Sequence, residues 1–115
     1  MNIYLVHQVV ADRDELVEHL EEIGHDVTVA SELLDEDLPA LKVRQPDVIV
    51  AFLGEAADDV IARVETLKRK RCARSAAVLF TGGDAAAMEA AGKVFPRASF
   101  ARRAVLMNAI ASARG

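Results

Sequence analysis

The side chains of this 115-residue chain that could do chemistry sit beside short apolar runs. His7 and Gln8 follow Ile3-Tyr4-Leu5-Val6. Phe52 closes Val48-Ile49-Val50-Ala51 and is followed by Leu53 and Gly54. Thr81, with Gly82 and Gly83, closes Ala77-Val78-Leu79-Phe80, and Arg97 follows Lys93-Val94-Phe95. An imidazole can move a proton or bind a metal, though at a strand end it more often makes a structural hydrogen bond. A hydroxyl before two glycines is first a turn former, and glycine amides can face an anion. The set is poor in what catalysis requires. No Ser/His/Asp nucleophile arrangement stands out, and the glycine pair lacks the spacing of a P-loop or a dinucleotide fingerprint. The single Cys72 can form no internal disulfide, and no Cys/His cluster has zinc spacing. The expectation is a non-enzymatic chain with no catalytic residue, no metal and no cofactor.

The elements that position these residues alternate. Ile3–Val6 is of strand length, with a continuation as far as Val10 open. Asp12 or Asp14 can cap a helix whose stripe is Leu16, Val17, Leu20 and Ile23, with Gly24 ending it. Val27–Ala30 is a second strand. A short helix is expected from Pro39, in its first turn, to Arg44. The run from Pro46 to Leu53 is the strongest strand, apolar on both faces as in a parallel sheet covered by helices. Val60, Ile61, Val64 and Leu67 stripe a third helix ending in Lys68-Arg69-Lys70-Arg71. Ala77–Phe80 is a fourth strand, Asp84 caps a helix over 85–91 closed by Gly92, and Lys93–Phe95 is a fifth strand. Val105, Leu106, Ala109 and Ile110 stripe a fifth helix. This alternation predicts one α/β domain over residues 1–115. It is a flavodoxin-like three-layer α/β/α sandwich whose five parallel strands run in the order 2-1-3-4-5, with five helices. Its functional crevice lies beyond the carboxyl ends of the strands, where His7, Gln8, Phe52, Thr81 and Arg97 are expected to meet.

With that spacing the chain resembles the receiver domains of bacterial response regulators. The first strand, the helix ending at Gly24, the Pro46-Asp47 start of the third strand and Thr81 all fall where that family has them. In the family, two acidic residues after strand 1 hold magnesium, and His7 and Gln8 stand there. The aspartate closing strand 3 accepts the phosphoryl group, and Phe52 stands there. A hydroxyl residue closes strand 4, matched by Thr81. A lysine near strand 5 completes the pocket, and Arg97 is the nearest counterpart. The resemblance therefore implies a pseudo-receiver: the scaffold without the phospho-acceptor and without the carboxylates that suit magnesium.

Function would then rest on protein contacts independent of phosphorylation, with an output domain, another protein or a second copy as partner. The resemblance places an interface on the face that carries Lys93, Arg102, Arg103 and Met107. The alternative is a small-molecule binding module using the strand-end crevice. A net charge of −4 argues against nucleic acid, and Lys68–Arg71 with Arg74 read as a solvated helix end favoured by the macrodipole. The start Asn2–Val6 followed by His7 lacks the pattern of a signal peptide. No apolar run reaches the roughly 20 residues of a membrane span. A reducing, cytoplasmic setting is expected.

Overall fold

Five apolar runs pair side by side because each is too short to bury itself and apolar on the faces it must cover. The computed structural model describes residues 1–7, 10–54, 56–101, 106 and 110, with residues 10–12 as backbone only. The order is β1 (Asn2–Val6), α1 (Val10–Glu22), β2 (Asp26–Val29), α2 (Leu34–Val43), β3 (Val48–Phe52), α3 (Ala57–Lys68), a 3-10 turn (Arg71–Ala73), β4 (Ala77–Thr81), α4 (Ala85–Val94) and β5 (Ser99–Ala101). All strands are parallel, in the order β2-β1-β3-β4-β5. The expected order is therefore the observed one. The fifth helix falls largely outside the described residues, of which Leu106 and Ile110 are helical and buried.

Alternation along each strand divides the core in two. Ile3, Leu5, Val48, Val50 and Leu79 face α1 through Leu16 and Leu20, together with Leu106 and Ile110. Tyr4, Ile49, Ala51 and Phe80 face α2, α3 and α4 through Leu41, Val60, Val64, Leu67 and Ala91. Burial on both faces accounts for the unbroken apolar run of β3.

Several boundaries differ from expectation. The helix α1 begins at Val10, so Asp12 and Asp14 lie inside it, and β1 stops at Val6. Its end is as expected. His25 N–H donates to the Leu20 carbonyl and Gly24 N–H to that of Glu21 across Gly24 at φ +100°, a left-handed helix end suited to glycine. Ile23, expected in the buried stripe, is 54% exposed there. The helix α4 runs through Gly92 to Val94, so Lys93 and Val94 are helical and Phe95 is its C-cap; β5 starts only at Ser99. Asp84 caps α4 as expected, its carboxylate accepting from Ala87 N–H at 2.8 Å.

The largest difference is α2, which starts at Leu34 and holds Pro39 in its interior. Pro39 leaves the Asp35 carbonyl without its helical donor, but it is exposed, so water can replace that donor. What holds the first turn is Asp37. This buried carboxylate accepts from Tyr4 Oη at 2.6 Å and from Ser31 N–H at 3.0 Å, and faces the Arg63 guanidinium at 3.9 Å. Arg63 in turn donates to the carbonyls of Ser31 and Glu32. One network thus ties β1, the β2–α2 connection, α2 and α3 together.

Burial first, and then the Asp37 carboxylate, hold the Tyr4 phenol proton far above its ordinary range. The folded chain keeps a proton that the unfolded chain releases near pH 10. That stability is therefore complete below about pH 10 and lost as pH rises past it. Tyr4→Phe leaves Asp37 one donor short and is expected to cost about 1–2 kcal/mol at neutral pH. It should also flatten the alkaline loss. Urea unfolding followed by circular dichroism at neutral pH and at about pH 10.5 checks both expectations.

Candidate functional site

Strand register decides which side chains share the crevice. Val6 pairs with Ala51, and Phe52 pairs with Thr81, so the carboxyl ends of β1, β3 and β4 are level. His7, one residue past β1, lies over Phe52. The two rings stack with centroids 3.8 Å apart and an interplanar angle of 15°. Phe52 is half-buried and packs at the border of the core beneath α1. Beside it Thr81 is fully buried, and its Oγ1 meets no hydrogen-bond partner among the described residues.

The other parity of these strand ends closes the floor. Leu53 is buried and donates its N–H to the Thr81 carbonyl at 3.0 Å, joining the β3 and β4 exits. Gly83 lies against it at φ +79°, and a Cβ there would stand 2.8 Å from the Leu53 Cβ. Gly83 therefore serves close backbone approach to an apolar plug.

The sequence candidates sort accordingly. His7, Phe52 and Thr81 come together. Gln8 lies outside the described residues. Arg97 does not join them. Thr81 is level with Ala101, whereas Arg97 precedes Ser99 at the opposite end of β5. There it lines a cleft of about 550 Å3 with Lys68, Val94 and Phe95. The cause is the late start of β5: expecting a strand at Lys93–Phe95 moved the whole register.

A magnesium ion, as receiver domains use, needs hard oxygen ligands. His7 and Phe52 supply an imidazole and a benzyl group, already in contact with each other, so these side chains do not fit that ion. Among the described residues no group of three or more His, Cys, Asp or Glu is placed to hold a metal.

On the α3 side of His7 the structure shows a cleft the sequence did not reveal. It measures about 500 Å3 and is lined by Val6, His7, Arg13, Ser31, Asp59 and Arg63, among others. Its walls depend on the Asp37 network, since Arg63 and Ser31 belong to both. A sequence signal for Asp37 existed. It occupies the helical stripe Leu34, Leu38, Leu41 at the i+3 place, where an acidic residue must find buried donors. On the expected interface, Lys93 is exposed and pairs with Glu89 at 3.5 Å. Arg102, Arg103 and Met107 lie outside the described residues. No described helix is long and apolar enough to cross a membrane.

No family model and no curated protein matches the chain. Solved structures do. NtrX from Brucella abortus matches with a TM-score of 0.75 at 20% identity, over 98% of this chain and 26% of that one. A response regulator from Burkholderia pseudomallei, solved with a phosphorylated aspartic acid and a calcium ion, matches at 0.74 and 19%, over 99% of this chain and 66% of that one. A CheY-like protein of Pseudomonas aeruginosa, TadZ, matches at 0.76 and 25%, over 100% of this chain and 99% of that one. This chain thus spans about a quarter of the NtrX chain and just under two thirds of the Burkholderia one. The fold is that of response-regulator receiver domains.

The close approach at Gly83 is testable. Gly83→Ala combines a left-handed backbone with a clash against Leu53 and is expected to cost about 1–3 kcal/mol. Gly82→Ala, at φ +71° with open space around it, should cost less. Thermal unfolding of the two variants side by side checks the order.

Proposed function

We propose that this chain is a receiver-type regulatory domain that works without phosphoryl transfer, through protein contacts in two-component-type signalling. The observation that carries this reading is the His7–Phe52 stack at the strand ends. Phosphoryl transfer needs a nucleophilic oxygen and charge compensation there, and Phe52 has no such oxygen. The phosphorylated aspartic acid and calcium ion of the Burkholderia regulator define the chemistry that these residues lack. The domain is accordingly read as non-enzymatic and cytoplasmic, with an output domain or another protein as its partner.

The surface that supports this reading is the α4–β5 face. Val94 and Phe100 are 40% and 41% exposed there, next to Lys93. Phe100 rests on Phe80 with centroids 5.7 Å apart, which anchors one side of the ring and leaves the other for a partner. Exposed aromatic side chains such as Phe100 are enriched at interfaces.

Incubation with acetyl phosphate and magnesium, followed by intact-mass spectrometry, tests the loss of chemistry. Neither the native chain nor Phe52→Asp is expected to gain a phosphoryl group, because restoring the nucleophile leaves His7 where a metal-binding carboxylate is needed. Phosphorylation of Phe52→Asp would show a pocket intact apart from one residue.

A second reading has its own observation. The cleft of about 500 Å3 beside His7 has a size suited to a small ligand, and its lining sets Arg13 and Arg63 against Glu32 and Asp59. A thermal-shift survey of nucleotides and small carboxylates tests it. Stabilisation lost in Arg13→Ala would favour this reading over protein contact alone.

A further inference from the structure

The end of the sheet where the strands begin carries two opposed patches that the pocket does not use. On one side, α1 finishes with Glu21 and Glu22 exposed, followed by Ile23, 54% exposed. On the other, α2 finishes with Lys42 and with Val43, 84% exposed. Beside them Lys70 and Arg71 enter the 3-10 turn. A cleft of about 350 Å3 opens here, with Leu38 and Cys72 among its lining and Lys42, Lys70 and Arg71 around them. The patches adjoin: Asp26, which opens β2, faces Arg44, which caps α2, at 3.9 Å.

These cations are not accounted for by the helix end. Lys68 donates to the carbonyls of Arg74 and Ala76 at 2.7 and 2.6 Å, and Arg69 pairs with Glu65. Those two side chains already have partners, on the turn that follows α3 and on α3 itself. Lys42, Lys70 and Arg71 form no ion pair among the described residues, and neither do Glu21 and Glu22. Nor does the site suit a nucleic acid. Val43, exposed, follows Lys42 in α2, and Asp26 stands 3.9 Å from Arg44 at the end of that helix. An apolar lining with a basic rim calls for an apolar side chain between carboxylates. The chain itself carries that arrangement at Glu21-Glu22-Ile23.

We infer that the occupant is a second copy of this chain. A two-fold axis near the Asp26–Arg44 pair sets the acidic helix end of each copy against the basic cleft of the other. The same contact is then made twice, as closed two-fold association requires. Ile23 enters the cleft toward Leu38 and Cys72, and Glu21 and Glu22 meet Lys70, Arg71 and Lys42. This contact lies apart from the α4–β5 face and does not depend on whether the crevice accepts a phosphoryl group.

Sedimentation velocity of the whole chain over a range of concentrations tests it. The native chain should show a monomer–dimer equilibrium weakened about tenfold or more between roughly 50 and 500 mM salt, as for exposed charge pairs. Glu21→Lys with Glu22→Lys, and separately Lys70→Glu with Arg71→Glu, should each leave monomers at concentrations where the native chain is dimeric. An equal mixture of the two variants should recover the dimer, because each supplies the charge the other has lost. That recovery also shows that both variants are folded. Ile23→Ser should weaken the native dimer. A native chain that stays monomeric would overturn the inference, as would a dimer insensitive to either reversal or a mixture that fails to associate. Binding of inorganic phosphate or of an oligonucleotide by a monomeric native chain, lost with Lys70 and Arg71, would replace it with an anion site.

Discussion

A carboxylate buried between a sheet and its helices must find donors or destabilise everything packed around it. Asp37 finds Tyr4 from the sheet, Ser31 from the β2–α2 connection and Arg63 from α3. Most of that side of the molecule follows from meeting this demand. It draws the start of α2 back ahead of Pro39 and holds the β2–α2 connection near β1. It also turns Arg63 toward carbonyls that would otherwise lie open. Since Arg63 and Ser31 line the cleft beside His7, the same interaction shapes the approach to the strand ends.

At those ends the described side chains pack against one another. Receiver chemistry would gather carboxylates and a cation around a small anion. Here His7 and Phe52 lie face to face, and Leu53 is pressed beneath Gly83. The Thr81 hydroxyl is enclosed beside them, with no described partner for its oxygen. The solved relatives share the scaffold at 25% identity or less, which is enough to show common architecture and leaves each pocket to be judged on its own residues.

Much of the fold was legible because it rests on strong local signals. The runs of β3 and β4 are apolar without interruption, Gly24 ends α1 and Asp84 caps α4, each through a mechanism visible in the residues themselves. The misses share a cause: tertiary contact outweighed a local rule. Pro39 suggested a helix start, but Asp37 and its donors set that start earlier. Lys93-Val94-Phe95 looked like strand, but the helix ran on through Gly92, and the real β5 is three residues long with an exposed Phe100. That slip carried Arg97 to the wrong end of the sheet. His7, Phe52 and Thr81 were legible because each ends an element whose register was right. The Tyr4–Asp37–Arg63 network was not, since it joins residues far apart in the chain, though Asp37 within a leucine stripe marked one of its members.

The central claim is that apolar stacking at the strand ends has replaced an ion- and phosphate-binding pocket. Amide chemical shifts of the native chain, recorded while magnesium and beryllofluoride are added, report on that place directly. The account expects the signals of His7, Phe52, Thr81 and Gly82 to stay where they are throughout the titration. Saturable shifts centred on those residues would contradict it.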